Sequence, residues 1–583
     1  MMKRHAHKSG LMPTRRGALG LLGLGSTAAA CSPAVEELTS ARSASTGTFE
    51  HGVASGDPFA TSVILWTRVT PDEAGSARVE WEIDTDPGFS SAISGVAEAR
   101  LERDFTVKVE ATGLQPSTEY FYRFKLGEQI SPIGRTKTLP EGSPEAVRFA
   151  VVSCSNYEHG YFNVYDLIAQ RSEDYDALIH LGDYYYEYGA DYYDAPDKPE
   201  GRVHEPAHEI ISLSDYRTRH AQYRRDPNLQ AVTASLPLIA IWDDHETSND
   251  SWQGGAQNHN DGEGGWEDRK QAALRAYYEW MPVREPQPGR ARETLYRSFQ
   301  FGDLLTLVGV ETRLTARAEP LIIENYVEEI TEDAEAFREK YLNDPSREMF
   351  GAEQRDFIVG TFAQSKAEGV KWRMLANQVI LGRLMTPDFT PYVTEEAVTA
   401  IEKDWPGIHD FLTLSKYNMP FYPDSWDGYP VARERFYDAL DQVGVNDLLV
   451  VTGDAHEFWA NDLTSESGTH MGAEFVTSSV TSKTLTAYLG DATAQHNLLM
   501  TRENEDARYY SALHNGYMEV ELGRASGRIT FHAVDQVNSR DFGTFRQASF
   551  SIKPRQKDGK DTLRIGRPRG LNIPQRALFA GLG

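Results

Sequence analysis

Four apolar runs that read as buried strands each end in a short turn rich in metal-ligating side chains. The turns begin at Ser153, Gly182, Asp243 and Gly453. Because neighbouring strands of an open sheet end at the same edge, such turns bring their side chains together. One such motif is often structural, since Asp and His also cap helices and form turns. Four in one chain indicate a functional centre at the ends of a sheet.

The side chains in these turns favour a centre with two kinds of metal ion. A Cys154 thiolate and a Tyr186 phenolate suit a highly charged, polarisable ion such as Fe³⁺, whereas carboxylates suit Ca²⁺, Mg²⁺ or Mn²⁺. Asp183 and Tyr186 are three positions apart, so one turn can direct both at one ion. Asp454 and His456 are two apart and project to the same side of an extended segment. The two oxygens of Asp183 can bridge two ions.

His245 is the predicted catalytic residue. It lies directly beside Asp243 and Asp244. Imidazole titrates near working pH, so a histidine among carboxylates suits the role of proton donor to a leaving group.

The N-terminus points to export, and it contains Cys31, one of the two cysteines of the chain. A twin-arginine pair, Arg15 and Arg16, precedes a short Gly/Ala-rich apolar stretch, which predicts a Tat-type signal peptide over residues 1–31. Its removal leaves Cys154 without a disulfide partner. A bound metal would protect that thiolate in an oxidising compartment. Because the Tat export machinery moves folded proteins, the metal can be loaded in the cytosol.

A second interpretation of this region remains open. The run Ala28-Ala29-Ala30-Cys31 also fits a degenerate lipoprotein site, in which Cys31 carries a lipid anchor. No apolar run of 18 residues follows the signal, so we expect no transmembrane segment. The net charge of −27 argues against nucleic acid as a stable partner. We expect a periplasmic or secreted monomer.

The residue pattern after the predicted signal divides the chain into several segments. A Ser/Thr/Ala-rich linker over 32–47 leads into short strand-like runs over 48–140, which suit a fibronectin-III-like β-sandwich. Strands then alternate with helices over 146–535, which indicates a catalytic α/β domain. Residues 543–583 carry nine Lys/Arg against two acids and indicate a basic tail, which is either solvated or partly folded, or docked on the acidic body or on anionic lipid.

Several blocks resemble known metallophosphoesterases. Three of them resemble the block series of the calcineurin-like and purple acid phosphatases: Gly182-Asp183-x-x-Tyr186, Asp244-His245-Glu246 and Gly453-Asp454-x-His456. The PhoD-like alkaline phosphatase family is the closer match, because it also shares the blocks His51–Pro58 and Ser153–Asn156. The resemblance covers roughly residues 49–535. It implies an α/β (α+β) fold: a four-layer metallophosphoesterase-like β-sandwich flanked by helices, preceded by a small fibronectin-III-like all-β domain.

The resemblance also implies a ligand set. Fe³⁺ would be held by Cys154, Asp183, Tyr186 and His456. Asp183 would bridge to a Ca²⁺ completed by Asp244 and Asp454. Related phosphatases have Asn and His at these two positions, and carboxylates shift the site from zinc towards calcium. A second Ca²⁺ has weaker ligand candidates: Asn249, Asp243 and Asn377.

The resemblance implies a metal-dependent phosphatase that hydrolyses phosphomonoesters, and some phosphodiesters, by metal-activated water attack for phosphate acquisition. Its partners would be small phosphate esters. A phosphodiesterase or phospholipase-like enzyme and an inactive exported binding protein are the alternatives. The tyrosines at positions 184, 185, 188, 192 and 193 either line the entrance and contact the leaving group or serve ordinary packing.

Overall fold

The computed structural model describes residues 46–570, except residues 74, 194, 196, 403, 404 and 406. At residues 396, 397, 400 and 491 it describes the backbone alone. The predicted signal peptide and all but the last two residues of the predicted linker lie outside this range, as do residues 571–583 of the predicted tail. Among the described residues, no helix combines the length and apolarity needed to cross a bilayer.

The elements follow the alternation expected from the sequence. In chain order the strands are β1 (Gly47–Thr48), β2 (Val53–Gly56), β3 (Ser62–Arg68), β4 (Thr70–Pro71), β5 (Ala77–Asp84), β6 (Ile93–Ala99), β7 (Thr106–Thr112), β8 (Glu119–Leu126), β9 (Gln129–Ile130), β10 (Gly134–Lys137), β11 (Ala146–Val152), β12 (Ala177–His180), β13 (Pro237–Ala240), β14 (Arg297–Phe301), β15 (Leu305–Gly309), β16 (Trp372–Asn377), β17 (Leu448–Thr452), β18 (Phe458–Thr464), β19 (His470–Val476), β20 (Ala507–Ser511), β21 (Gly516–Gly523), β22 (Gly527–Val534), β23 (Thr544–Lys557) and β24 (Lys560–Ile565).

The helices are α1 (Asn163–Gln170), α2 (Leu213–Arg224), α3 (Pro227–Ser235), α4 (Trp266–Trp280), α5 (Val327–Glu332), α6 (Ala334–Phe337), α7 (Gly351–Ala367), α8 (Glu395–Ile401), α9 (Ile408–Ser415), α10 (Pro430–Gln442), α11 (Thr486–Leu489) and α12 (Thr493–Glu503).

Two sheets form the centre of the molecule. The ten-stranded sheet has the order β24-β23-β22-β21-β11-β12-β13-β2-β3-β7, and the seven-stranded sheet has the order β14-β15-β16-β17-β19-β18-β20. Strands β11, β12 and β13 are parallel to one another, as are β15, β16, β17 and β19. Such strands read as continuous apolar runs because both faces are covered.

Alternate side chains of the seven-stranded sheet enter different cores. In β15, Leu307 packs in the core that lies between the two sheets, and its neighbour Val308 packs against α7 and α10. Helices α1, α3 and α4 contribute to the core on the ten-stranded sheet. Each fully buried leucine stabilises the fold by about 1.5–3 kcal/mol. The result is helices, sheet, sheet and helices, which confirms the α/β fold class with flanking helices.

The strands before residue 140 belong to three different sheets, of which the smallest is the pair β1 and β4. Strands β5, β6, β8, β9 and β10 form a five-stranded sheet, whereas β2, β3 and β7 extend the ten-stranded sheet beyond β13. The pairing of β2 with β13 needs glycine at position 56, because a Cβ there would lie 2.7 Å from the carbonyl of Leu238. The predicted boundary at 140 therefore separates sequence segments, while the sheet is continuous across it.

The predicted basic tail is wrong for residues 544–565. This segment forms β23 and β24, the hairpin at the edge of the ten-stranded sheet. Ala548, Phe550 and Ile552 alternate into the core, while Arg555 and Lys557 are exposed. The positive charge is the solvent face of an edge hairpin, and charged edges discourage pairing with other chains.

Candidate metal centre

The turns identified in the sequence meet at one place in the structure. Cys154 follows β11 and Asp183 follows β12, both in the ten-stranded sheet; Asp454 and His456 follow β17 in the other sheet. Among the residues that the structure describes, three groups have potential ligand atoms within 4.8 Å of one another: Cys154, Asp183 and His456; Asp183, Asp244 and His245; and Asp243, Asp244 and Asp454. Asp183 and Asp244 each belong to two groups, so the three groups form one continuous centre.

Tyr186 joins the first group through its hydroxyl. The Tyr186 oxygen lies 3.1 Å from Asp183 Oδ2 and 3.0 Å from His456 Nε2, and it accepts a 2.6 Å hydrogen bond from Ser482 Oγ. His456 Nδ1 lies 3.0 Å from the Lys483 carbonyl, which fixes the proton on Nδ1 and leaves a lone pair on Nε2. A phenol has one proton for two facing acceptors, so this set of atoms suits a cation.

The backbone of the ligand turns is sharply bent. Cys154, Asp183, Asp454 and His456 have φ values of 61°, 55°, 63° and 60°, in the left-handed region that non-glycine residues seldom adopt. Each such residue costs on the order of 1 kcal/mol or more, and such residues concentrate at functional sites. The strained turns direct four ligand side chains into one small volume.

The third group surrounds an arginine that sequence reasoning missed. Arg313 follows β15 and is fully buried. Its Nε donates to Asp243, and its Nη2 lies 3.3 Å from Asp454 Oδ1 and 3.6 Å from Asp244 Oδ1. Its Nη1 pairs at 2.6 Å with Asp424. The guanidinium therefore neutralises part of a dense carboxylate cluster.

The protein's own groups leave this cluster incompletely satisfied. Burial raises the pKa of Asp183 and Asp454 well above the usual range, and that of Asp243 to about 6. For Asp244, Arg313 and His245 outweigh burial and hold the pKa at about 2. Asp183 Oδ1, Asp243 Oδ2 and Asp244 Oδ1 are buried without a hydrogen-bond partner. Unpaired buried carboxylate oxygens are costly, and bound cations would satisfy them.

Cys154 is a buried free thiol beside these carboxylates. Burial, and then the Asp183 charge, raises the pKa of its thiol. Without a cation the thiol would stay protonated, whereas metal coordination deprotonates it outright. The donor set of one sulfur, one imidazole, a phenol and several carboxylates therefore fits metal binding.

His245 forms a tight pair with a buried carboxylate. Its Nδ1 lies 2.6 Å from Glu187 Oε2, and Glu187 also accepts from Asn249 N and Asn258 Nδ2 at 2.7 and 2.9 Å. Burial alone would lower the pKa of His245, but Asp244, Asp183 and Glu187 together raise it well above 6.5. The contact with Glu187 holds the imidazole in one orientation.

Comparisons with known proteins identify the family of the chain. The family model described as PhoD-like phosphatase matches residues 149–531, and the model of the PhoD-like phosphatase N-terminal domain matches residues 31–140. The chain belongs to the PhoD-like phosphatase family. It is 35% identical over 462 residues to alkaline phosphatase D of Bacillus subtilis (strain 168), covering 76% of this chain and 71% of that protein. A solved structure of PhoD matches with a TM-score of 0.72 and 29% identity, over 92% of this chain and 96% of that one.

This PhoD-like phosphatase is therefore a phosphoric ester hydrolase, and the inactive binding protein drops out as an alternative.

Two of the weaker candidates for an additional calcium ligand have contacts of their own. The Asn249 amide donates to Gln257 Oε1 at 3.0 Å, on an exposed side. Asn377 donates to the Val379 carbonyl and leaves its buried Oδ1 without a partner.

Several supporting residues of the phosphatase centre were absent from the sequence prediction. Glu246 accepts from the backbone N–H groups of Asp183, Tyr184 and Asp243 at 3.0, 2.7 and 2.9 Å, and so holds two ligand turns together. Its position directly after His245 was the available signal. For Arg313 the sequence carries no comparable motif.

Proposed function

We propose that this phosphatase is an exported, metal-dependent enzyme that hydrolyses phosphomonoesters, with some phosphodiesters, by metal-activated water attack. The observation that supports this most directly is the shared position of Asp183, whose carboxylate belongs to two adjoining ligand groups. A carboxylate between two cations is the arrangement of two-metal phosphatase sites.

The proposed cofactors follow from the donor types. Cys154, Asp183, Tyr186 and His456 would hold Fe³⁺, and Asp183, Asp244 and Asp454 would hold Ca²⁺. Bound there, the ions would polarise the phosphoryl oxygens and lower the pKa of a bound water. An additional Ca²⁺ would draw on the partnerless oxygens of Asp243 and Asn377.

His245 is the proposed general acid. The Glu187 carboxylate accepts the Nδ1 proton and stabilises the charged imidazolium, so that Nε2–H points towards a substrate oxygen. Arg313 remains charged in the cluster: burial opposes this, but Asp243, Asp244 and Asp424 raise its pKa. A positive group beside the carboxylates lowers the repulsion that an anionic phosphate ester meets on entry.

The proposed export by the Tat machinery to the periplasm or the extracellular space rests on the twin-arginine sequence. The proposed role in phosphate acquisition rests on the resemblance to the family. Fusing residues 1–31 to a reporter that folds in the cytosol tests the export. Exported reporter is expected, and replacing Arg15 and Arg16 by Lys should retain it in the cytosol. Retention of both fusions would contradict the signal assignment.

The activity is tested on purified protein by elemental analysis together with pH–rate profiles on 4-nitrophenyl phosphate and bis(4-nitrophenyl) phosphate, a monoester and a diester with the same leaving group. Bound iron and calcium and a higher kcat/KM for the monoester are expected. Zinc in place of both metals would overturn the cofactor assignment. A higher kcat/KM for the diester would instead favour the phosphodiesterase.

A further inference from the structure

A row of tyrosine rings extends from His245 to the protein surface. The ring centroid of Tyr188 lies 5.3 Å from that of His245, and Tyr192 stacks on Tyr188 at 5.2 Å with planes 27° apart. Tyr193 lies 5.5 Å from Tyr188 and stacks on the ligand Tyr186 at 6.1 Å. We call Tyr188, Tyr192 and Tyr193 the tyrosine shelf.

The shelf is distinct from the other tyrosines of the same run. Tyr184 and Tyr185 lie in the hydrophobic core, where their rings pack against His180 and His220. Ordinary packing therefore accounts for those two residues. The same account fails for Tyr192, whose side chain is 73% exposed.

Backbone hydrogen bonds anchor the loop that carries the exposed ring. The Tyr192 N–H donates to the Gly189 carbonyl at 3.3 Å, and the Asp191 N–H donates to Glu158 Oε2 at 3.1 Å. The Ala190 N–H donates to the Ala207 carbonyl at 2.8 Å. A fixed, exposed aromatic surface next to a catalytic histidine is prepared for contact with a ligand.

A cation completes the same side of the site. Lys483 Nζ lies 4.4 Å from the ring centroid of Tyr193 and 4.5 Å from that of Tyr488. The Lys483 carbonyl also accepts from the ligand His456. A ring placed on the shelf would lie near a positive charge, which favours electron-rich aromatic groups and leaving groups that depart as anions.

We propose that the tyrosine shelf is a leaving-group subsite that stacks an aromatic or heteroaromatic ring of a phosphate ester. The inference rests on the proposed phosphatase reaction and adds the chemical class of the favoured alcohol. Hydrolysis itself is unchanged: water adds to phosphorus, the P–O ester bond breaks, and the leaving oxygen takes a proton. The shelf contributes binding to the ring only.

The test compares Tyr192→Ala with Tyr192→Phe on phenyl phosphate and glycerol phosphate. Loss of one aromatic stack should raise KM for phenyl phosphate by about two- to tenfold in Tyr192→Ala. Tyr192→Phe should restore it, and KM for glycerol phosphate should stay unchanged in both variants. Tyr392→Ala, which removes a tyrosine that is 40% exposed elsewhere, is the matched control and should leave both substrates unaffected.

A loss of equal size on both substrates, or none on either, would overturn the subsite. Binding of non-hydrolysable phenylphosphonate and methylphosphonate, measured by calorimetry, separates this inference from the activity. If wild type discriminates between the two and Tyr192→Ala does not, the shelf stands even where the proposed phosphomonoesterase activity fails. Equal discrimination by both proteins refutes the shelf whatever the turnover.

Discussion

Replacing Glu187 by Gln tests the proposed acid without removing a metal ligand. The Glu187 side chain is fully buried and accepts three hydrogen bonds, one of them from His245 at 2.6 Å. Gln keeps the shape and can still accept from Asn249 and Asn258. Its amide group then meets His245 Nδ1, however, and removal of the carboxylate lowers the pKa of the imidazole and favours the other tautomer.

The expected loss can be worked from this contact. A hydrogen bond to a charged group contributes about 1.5–3 kcal/mol. Since about 1.4 kcal/mol is a factor of ten in rate, kcat should fall by roughly 10- to 150-fold where protonation of the leaving oxygen limits the reaction. The alkoxide of glycerol phosphate is a leaving group that needs this proton. 4-Nitrophenyl phosphate does not, because its phenolate departs without a proton, and its kcat should fall by less than about threefold.

The assay is kcat for both substrates at equal metal content, checked by elemental analysis. Glu474→Gln is the matched control, because Glu474 is also fully buried and accepts from Leu381, Gly382 and Thr452 without contacting His245. It should affect the two substrates equally. If Glu187→Gln also lowered both by the same factor, with full metal content, the pair would serve structure and the acid assignment would be refuted.

Three further outcomes are expected. Asp183→Ala should lose iron and calcium together with activity, by elemental analysis and turnover; normal turnover would contradict the bridging role. Tyr186→Phe should lose a visible charge-transfer band of the iron-loaded protein, and an unchanged spectrum would rule out the phenolate ligand. Although burial opposes it, hydrogen bonding to His532 and Arg171 lowers the pKa of Glu519 from 4.5 to about 2. The stability this gives is present above about pH 4.5 and is lost as pH falls towards 2. Because the side chain is partly exposed and solvent screens its charge, Glu519 should account for about 1–2 kcal/mol of the free energy of urea unfolding that is lost over that window. Glu519→Gln should make the dependence shallower by that amount; an equally steep dependence in the variant would refute this.

The strands that carry the site could be predicted because they are apolar on both faces. The apolar runs that precede the turns at Ser153 and Gly453, residues 147–152 and 448–452, coincide with β11 and β17 to within a residue. Which sheet a strand joins depends on contacts between segments that are distant in sequence. The pairing of β2 with β13 therefore could not be predicted from the local pattern of apolar residues. The alternation of Ala548, Phe550 and Ile552 was a signal for the hairpin at 544–565. The high positive charge of this segment favoured the interpretation as a tail instead.

Part of the candidate site could likewise be predicted from the sequence and part could not. The ligand turns were visible because liganding side chains follow apolar strands at fixed spacing. Arg313 could not be predicted, because a single arginine after a strand forms no local pattern. Its role depends on the carboxylates of Asp243, Asp424 and Asp454, which come from other segments of the chain. The exposure of Tyr192 likewise depends on its loop and could not be read from a run of tyrosines.

The distance along the chain between partners in the centre has a consequence for synthesis. Cys154 and Asp454 lie 300 positions apart and belong to turns of different sheets. A nascent chain that has released only its first half therefore exposes the thiol and Asp183 but cannot enclose an ion. Binding stabilises only the state that contains the complete site, by about 4 kcal/mol at a free-ion concentration a thousand times Kd. Occupancy of the candidate centre by an ion would thus distinguish finished molecules from truncated ones, because a chain that terminates before Asp454 lacks part of the site.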